Sequence, residues 1–221
     1  MSGGARGAPR VLPTRAEIAR APSRLLKRGR GAKPDVLAVA IAGETLVVKD
    51  YAPRAAWVRR LVAPRVLARE ERVHRALAPH AAVPACLGRV DALALAFEYR
   101  PGEPLSRALA QRLGADASAR LLERLADAVA RMHALGVVHL DLRHRDNVLC
   151  DSDGCPVLVD FAFAMCFRPG SFWYRWYRPT VLVYDEYAIA KWRDRLREGA
   201  PPRRRSAFGR WRSRRRRDRG R

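Results

Sequence analysis

Residues 139–149, HLDLRHRDNVL, together with residues 157–162, VLVDFA, decide how the rest of the chain is interpreted. Between them lies the stretch 151–154, Asp-Ser-Asp-Gly, which is typical of a tight turn. Short apolar runs flank this turn at Asn147–Cys150 and Pro156–Phe161. The sequence therefore predicts a β-hairpin whose two ends carry polar side chains.

The two ends of a hairpin return to the same edge, so Asn147 and Asp160 are expected to lie side by side. Amide and carboxylate oxygens are the ligands that Mg²⁺ prefers, with water and phosphate completing its shell. Asp141 precedes Asn147 by one short loop and could act there as base or positioning group for an attacking hydroxyl.

The remaining pattern predicts an α+β chain of two unlike lobes. A second hairpin is expected over Val36–Ala42 and Thr45–Val48, followed by a helix over 56–78 and a strand over Leu93–Tyr99. The second half favours helices over 117–134 and about 184–197. Expected boundaries are a flexible basic lead over 1–20, a β-rich N-lobe over 21–99, a reduced helical C-lobe over 100–200 and a disordered Arg-rich tail over 201–221.

Charge is the unusual property of this composition. The 221 residues carry a net charge of +22, and 40 of the 44 cationic residues are arginine. Residues 203–221 contain eleven arginines against one aspartate, which favours contact with an anionic membrane surface or RNA, or a merely solubilising tail. Lysine is therefore an exception, and it occurs only as Lys27, Lys33, Lys49 and Lys191.

The sequence argues against a zinc-binding protein of the CxxC type and against an integral membrane protein. Cysteine spacing lacks a CxxC pair and favours a reducing compartment, and no apolar run reaches the length of a membrane span. We therefore expect a cytoplasmic protein without an integral span, with peripheral attachment to the inner membrane face as an open alternative. Aromatic and basic residues over 172–178 fit either C-lobe core or such an interfacial patch.

These motifs resemble those of the protein-kinase-like superfamily. Residues 139–149 resemble its catalytic loop, and Asp160-Phe161-Ala162 resembles its Asp-Phe-Gly motif. The sequence is most similar to small bacterial RIO-type kinases and lipopolysaccharide core sugar kinases, over about residues 22–197. The resemblance implies a two-lobed fold that uses ATP and Mg²⁺.

The resemblance also implies roles for individual residues. Asp141 corresponds to the catalytic aspartate, Asn147 and Asp160 to the metal ligands. His139 corresponds to the residue that braces the loop, and Asp185 to the aspartate that anchors it.

A further set of residues is implied to bind ATP. Lys49, in the run Leu46–Lys49, corresponds to the lysine that orients the phosphates, and Glu70 to its glutamate partner, with Glu71 as the neighbouring alternative. Glu98 and Tyr99 correspond to the hinge beside adenine. Gly29 and Gly31 belong to an incomplete phosphate-covering loop.

The chain departs from the family pattern at several points. Asp146, not asparagine, stands five residues after Asp141; we prefer Asn147, one residue later, because an aliphatic pair follows it directly. Ala162 replaces the usual glycine, and no Ala-Pro-Glu motif follows.

The reading that these features favour is an ATP-dependent phosphotransferase, a RIO-like serine/threonine-type kinase acting on a hydroxyl. Alternatives are a heptose- or KDO-type lipopolysaccharide sugar kinase, a nucleotide-binding pseudokinase, and a nucleic-acid-binding protein.

Overall fold

An antiparallel sheet of five strands forms the first half of the fold. A computed structural model describes residues 12–168 and 171–196. The strands are β1 (Ser23–Lys27), β2 (Asp35–Ile41), β3 (Glu44–Asp50), β4 (Cys86–Asp91) and β5 (Ala94–Glu98). Their order in the sheet is β1-β2-β3-β5-β4, with every neighbouring pair antiparallel.

The β2–β3 hairpin has the turn that its sequence predicts. Ala42 and Gly43 both have positive φ, 51° and 79°, as the two central residues of a type I′ turn require. Pairing then runs without interruption from Ile41 opposite Glu44 to Asp35 opposite Asp50. This register places Lys49 opposite Val36, near the end of the central strand.

One helical segment crosses the sheet. It begins as a π-helix over Val58–Val62 and continues as α2 (Ala63–Ala76). Leu67, Glu70, Val73 and His74 are buried on one face of α2, which follows the helical spacing of the sequence. The change from π to α geometry occurs just before Pro64, which occupies the first turn of α2, where its missing N–H costs little.

Helices dominate the second half. They are α3 (Arg107–Leu113), α4 (Ala115–Ala134) and α5 (Phe172–Leu196). α4 buries Leu121, Leu125, Ala128 and Met132 in the largest apolar cluster, which also receives Trp192 from α5. The expectation of an α+β fold with a β-rich first part and a helical second part is confirmed.

Short strands and turns, most of them between α4 and α5, lie on this helical base. β6 (Glu103–Pro104), β8 (Val148–Cys150) and β9 (Pro156–Leu158) form one small sheet, and β7 (Val137–Val138) pairs with β10 (Met165–Cys166). The turn between β8 and β9 is fixed by Asp151, whose Oδ1 accepts from the N–H groups of Asp153 and Cys155 at 3.0 and 2.7 Å.

Several sequence expectations about element limits are wrong. Asn147 lies in a 3₁₀ turn (Arg145–Asn147) and not in the first strand, and the second strand ends at Leu158 and not at Phe161. α5 begins at Phe172, twelve residues before the expected start. β1, β4 and α3 were not expected, because β1 and β4 lack alternation of buried and exposed residues and α3 has only seven residues.

The expected flexible lead is also wrong for its last residues. Arg15–Arg20 form α1, which has a complete capping box between Thr14 and Glu17, and Ile18 is buried against the sheet. The guanidinium of Arg15 contacts both oxygens of Asp91, at 2.7 and 3.0 Å, and Asp50 at 2.6 Å. α1 is therefore fastened to the ends of β3 and β4. The remainder of the lead, residues 1–11, and the predicted tail over 201–221 lie outside the described residues.

No helix of the described ranges is long and apolar enough to cross a bilayer.

Arg15→Ala should lower the free energy of unfolding by roughly 1–2 kcal/mol, since it removes a bidentate ion pair that water screens in part. The exposed Arg20, in the last turn of the same helix, provides the matched control as Arg20→Ala. Urea denaturation of both variants measures the effect. Equal stability of the two variants would contradict a fastening role for Arg15.

Candidate active site

A cleft of about 450 Å³ lies between the sheet and the helical part. Such a volume is in the usual range of sites for small molecules. The cleft contains residues from β1, β2, β3, α2 and β5, and from the hinge and the β8–β9 region. Its polar and charged lining residues are Arg24, Lys27, Lys49, Glu70, His74, Glu98, Tyr99, Arg100, Asp146 and Asp160.

Lys49 is the central cation of the cleft. Its Nζ donates to Glu70 Oε1 and, at 2.8 Å, to Asp160 Oδ1. Lys49 is 7% exposed and Glu70 1% exposed. Glu71 lies on another side of α2, where it pairs with Arg75 and Arg89. The structure thus brings Glu70, and not Glu71, against Lys49.

The charge states of this trio follow from burial and proximity. Burial of the Lys49 ammonium lowers its pKa, but the charges of Glu70 and Asp160 outweigh that effect and leave the pKa raised. Lys49 in turn lowers the pKa of Asp160 to about 2, against the opposing effect of burial. Burial raises the pKa of Glu70, although Lys49 counteracts it. Asp160 is therefore a carboxylate throughout the physiological pH range.

Four residues join the two motifs in a closed set of hydrogen bonds, which we call the loop circuit: His139, Asp141, Asn147 and Val159. The Asp141 N–H donates to His139 Nδ1 at 3.4 Å, and His139 Nε2 donates to the Val159 carbonyl at 3.1 Å. The Val159 N–H donates to the Asn147 carbonyl at 3.0 Å. Asn147 Nδ2 completes the loop circuit by donating to both the carbonyl and Oδ2 of Asp141, each at 3.0 Å.

The loop circuit requires a neutral His139. A carbonyl can only accept and a backbone N–H can only donate, so Nε2 carries the proton and Nδ1 does not. Burial lowers the pKa of His139, although Asp185 opposes this effect. The neutral imidazole therefore bridges Asp141 and Val159, the residue before Asp160. It is fully buried and cannot contact a bound molecule.

Asp185 on α5 supports the loop circuit from the helical side. Its Oδ2 accepts from the His139 N–H at 2.8 Å and from His133 Nε2 at 3.0 Å, and its Oδ1 accepts from the Leu140 N–H at 2.9 Å. Leu140 has a φ of 66°, and Asp160 has the same value. Backbone strain of this kind persists only where neighbouring contacts enforce it, and it occurs often at functional sites.

Trp192 gives a second attachment that the sequence did not reveal. Its Nε1 donates to the Leu142 carbonyl at 2.8 Å, and the side chain is buried. Trp192 follows Asp185 by seven residues, which is two helical turns, so both face residues 139–142. In the sequence, only the seven-residue spacing from Asp185 to this tryptophan could have indicated the contact.

Asn147 and Asp146, the two candidates for the metal-binding asparagine of the kinase motif, differ in burial. Asn147 is 2% exposed and belongs to the loop circuit, whereas the Asp146 side chain is 46% exposed, lines the cleft and lies 3.4 Å from Arg145. Because carbonyl and carboxylate oxygens only accept, the amide nitrogen of Asn147 must face Asp141. That orientation points the amide oxygen of Asn147 away from Asp141.

The donor set fits a divalent ion that is bound together with nucleotide phosphates. The described residues contain no group of three or more His, Cys, Asp or Glu side chains able to hold a metal. An ion that takes most of its ligands from phosphate and water does not need one. Asp160, ionised beside Lys49, and Asp146 offer carboxylate oxygens in the cleft, and Asn147 has an amide oxygen that Asp141 does not engage.

Glu98 and Tyr99, which the sequence predicts as the hinge, follow one another at the end of β5. Glu98 and Tyr99 both line the cleft. The Glu98 N–H donates to the Ala85 carbonyl at 2.8 Å, and the Ala85 N–H donates to Glu98 Oε2 at 3.0 Å. These bonds fix the end of β5 and commit the Glu98 N–H within the protein.

Gly29 and Gly31 do not line the cleft, and four other predicted site residues do not line it either: Asp141, Asn147, His139 and Asp185. Gly29 is buried, its N–H donates to Asp35 at 2.7 Å and its carbonyl accepts from Arg54 at 2.7 Å. A Cβ there would lie 2.2 Å from the Lys33 carbonyl oxygen, so the loop requires glycine for its own packing. The neighbouring Lys27, which sequence reasoning left unassigned, does line the cleft, and its Nζ lies 3.9 Å from Asp160 Oδ2.

The aromatic segment at the start of α5 is partly described. Phe172 and Trp176 are 67% and 68% exposed, with ring centroids 6.0 Å apart. Assignment of these two residues to the C-lobe core is therefore wrong. The side chains of residues 173–175 and 177–180 lie outside the described residues.

Comparison with known proteins agrees with the geometry of the cleft. The model of the phosphotransferase enzyme family named APH matches residues 25–137, just over half of the chain. The chain belongs to this family. The matched range contains Lys49, Glu70 and the hinge, and it ends just before His139.

A curated relative extends the likeness to a protein kinase. CBL-interacting protein kinase 4 of Oryza sativa subsp. japonica is 32% identical over 146 residues, which are 64% of this chain and 32% of the relative. The chain therefore spans about a third of the length of the curated relative it matches. Membership in the protein-kinase-like superfamily, expected from the motifs, is confirmed at this level.

His74 should make the fold sensitive to acid. Burial, with a smaller effect of Lys49, lowers the pKa of His74 to about 3. The unfolded chain therefore binds one more proton between about pH 6.5 and pH 3, and stability falls as the pH falls through that window. His74→Asn keeps a donor for the Pro84 carbonyl, which His74 Nδ1 contacts at 3.1 Å, but removes the titration.

Denaturation of wild type and His74→Asn at several pH values measures this contribution. Between about pH 6 and pH 4 the variant should lose up to about 1.4 kcal/mol per pH unit from the slope of stability against pH. The exposed His144 provides the same substitution on the surface as His144→Asn, against which the slope of His74→Asn is compared. An unchanged slope in His74→Asn would refute the contribution.

Proposed function

We propose that the protein is an ATP-dependent phosphotransferase that transfers the γ-phosphate of ATP to a hydroxyl group. One observation carries this proposal: the Lys49–Glu70 pair and Asp160 meet in the cleft, and the loop circuit ties Asp141 and Asn147 to the residue before Asp160. Phosphoryl transfer depends mainly on positioning and on neutralising charge, and these residues supply both.

ATP would enter with its adenine at the hinge and its phosphates toward Lys49. The boundary between the N-lobe over 21–99 and the C-lobe over 100–200 falls at this hinge. Since the Glu98 N–H already donates to Ala85, adenine would use other backbone groups of Glu98 and Tyr99. Glu70 keeps the Lys49 ammonium at the wall of the cleft, where it can orient phosphate oxygens.

Asp160 and Asn147 would hold Mg²⁺. When bound, Mg²⁺ would offset the negative charge of the phosphates during transfer. Lys49 keeps the Asp160 carboxylate ionised and in place, and Asp141 orients the amide of Asn147 through two hydrogen bonds. His139 and Asp185 would be supporting residues that hold this arrangement.

Asp141 would position the acceptor hydroxyl and accept its proton. Asn147 donates to Oδ2 of Asp141, which fixes the rotation of the carboxylate and leaves Oδ1 for the acceptor. A scaffold without catalysis would not need this pre-oriented carboxylate, so the loop circuit favours an active enzyme over a pseudokinase.

The acceptor that we favour is a serine or threonine hydroxyl of a protein, as in a RIO-like kinase. The relative from rice bears the name of a protein kinase, which supports a protein acceptor. A lipopolysaccharide core sugar of heptose or KDO type is the second candidate, because the exposed Phe172 and Trp176 would suit an acceptor at a membrane.

Asp141→Asn should retain ATP affinity within a few-fold and lower phosphoryl transfer by a factor of about 100 or more, since general-base and positioning contributions have that size. Titration with Mg·ATP measures binding, and labelled ATP measures transfer to protein and lipid fractions. Asp153→Asn on the exposed hairpin turn is the matched control. Turnover near that of wild type in Asp141→Asn would remove Asp141 from its assigned role.

We also propose a cytoplasmic location with peripheral contact to an anionic membrane, made by α5 and the arginines of 203–221. Phe172, Trp176, Val183 and Tyr187 recur at helical spacing opposite Asp185 and are each more than half exposed. A basic segment that contains Phe208 and Trp211 follows the helix in sequence. Apolar insertion and attraction to anionic headgroups together give stable surface binding, whereas either one alone is weak.

Deletion of residues 203–221 should abolish salt-sensitive sedimentation with vesicles of phosphatidylcholine and phosphatidylglycerol, because eleven arginines are lost. Trp176→Ser should weaken sedimentation several-fold at constant charge. Trp57→Ser is the matched control, since Trp57 is 58% exposed but lies before α2.

Three results would count against the membrane contact. The first is equal binding to vesicles without phosphatidylglycerol. The second is binding of single-stranded RNA in preference to vesicles. The third is a concentration-dependent dimer that Trp176→Ser disrupts, which would make α5 an interface between two copies.

A further inference from the structure

Lys27 lies in the cleft because β1 contains a bulge. Pairing with β2 is regular from Ser23 opposite Val39 to Leu25 opposite Leu37, and the register then shifts so that Lys27 lies opposite Val36. In an unbroken strand Leu26 would take that place and Lys27 would point to the other face of the sheet. Val36 and Leu26 both line the cleft, so the bulge brings Lys27 to the cleft beside Leu26 without displacing it.

The ammonium of Lys27 approaches the same carboxylate as Lys49, but at its other oxygen. Its Nζ lies 3.9 Å from Asp160 Oδ2, while Lys49 Nζ lies 2.8 Å from Oδ1. The side chain of Lys27 is 46% exposed, against 9% for Lys49. Lys27 is thus a cation that is near the centre of the site and still able to move toward a ligand.

The loop that follows β1 does not provide the glycine-rich backbone site that usually binds phosphates. Backbone N–H groups of a glycine-rich loop commonly hold phosphates. Here the N–H of Gly29 donates to Asp35, and the glycine is buried within its own loop. Neither Gly29 nor Gly31 lines the cleft, although Lys27, two residues before Gly29, does.

We propose that Lys27 is a phosphate-binding residue, which contacts the β- and γ-phosphates of ATP in place of backbone N–H groups from the loop. This inference rests on the proposed function of the cleft. Lys27 and Lys49 would enclose the phosphates from two strands, with Asp160 between them. A lysine is suited to this position, because its ammonium is a compact charge on a flexible stem.

Charge supports the assignment. Lys49, Glu70 and Asp160 together carry one excess negative charge when all are ionised, and this excess would repel a polyphosphate. Lys27 removes the excess at the point where the phosphates would lie. The chain uses arginine for 40 of its 44 cations, so lysine is an exception at both positions.

Nucleotide titrations with wild type, Lys27→Met, Lys27→Arg and Lys33→Met test the proposal. Lys33 is exposed in the same loop and does not line the cleft, so Lys33→Met is the matched control. Lys27→Met should weaken Mg·ATP and Mg·ADP about tenfold or more and leave adenosine affinity unchanged. Lys27→Arg should recover part of the loss, and Lys33→Met should resemble wild type.

The outcomes separate this inference from the function on which it rests. If wild type binds neither ATP nor ADP, the proposed function itself is wrong. If wild type binds ATP and Lys27→Met binds it as Lys33→Met does, only the role of Lys27 is wrong. Loss of adenosine affinity together with ATP affinity would show that the substitution distorts β1, and would also overturn a phosphate contact.

Discussion

The buried ammonium of Lys49 is the interaction on which the rest of the site depends. A buried charge needs a partner of opposite charge. Lys49 pairs with Glu70 from α2 and with Asp160 from the segment after β9. These carboxylates belong to different halves of the fold. The sheet, its crossing helix and the helical part therefore meet at one atom, and a shift of any one of them would leave a buried charge without its partner.

The loop circuit extends this constraint from Asp160 to Asp141. Each member donates to the next, and every bond uses a group whose role as donor or acceptor is fixed by its chemistry. Arg145 and Asp146 take no part in the loop circuit; they begin the 3₁₀ turn that ends at Asn147, where the chain has room for one more residue than the family pattern. Spacing in sequence therefore differs from the family pattern while the buried hydrogen bonds stay complete. Asp185 and Trp192 then fasten the loop to α5.

Local sequence was informative wherever local chemistry determines structure. The turn at Asp151 could be predicted from its residues, and so could the position of Asp160 just after the second strand of that hairpin. The resemblance to a kinase motif gave Glu70 as the partner of Lys49. Features that depend on a distant partner could not. The bulge that brings Lys27 into the cleft arises from the pairing of β1 with β2. The hydrogen bond of Trp192 depends on the Leu142 carbonyl, which is fifty residues away in the sequence. α1 was missed because its stability comes from Ile18 and Arg15 packing on the sheet.

The short connection between Asp160 and α5 has a consequence for control of the enzyme. Larger kinases switch by phosphorylation of a long loop in this position, which orders the site through new ion pairs. Residues 161–171 are too few for such a loop, and Ser171 is their only hydroxyl residue. The Lys49–Glu70 pair is already formed. Control through a loop of that kind is therefore not built into residues 161–171, and the Lys49–Glu70 pair forms without it.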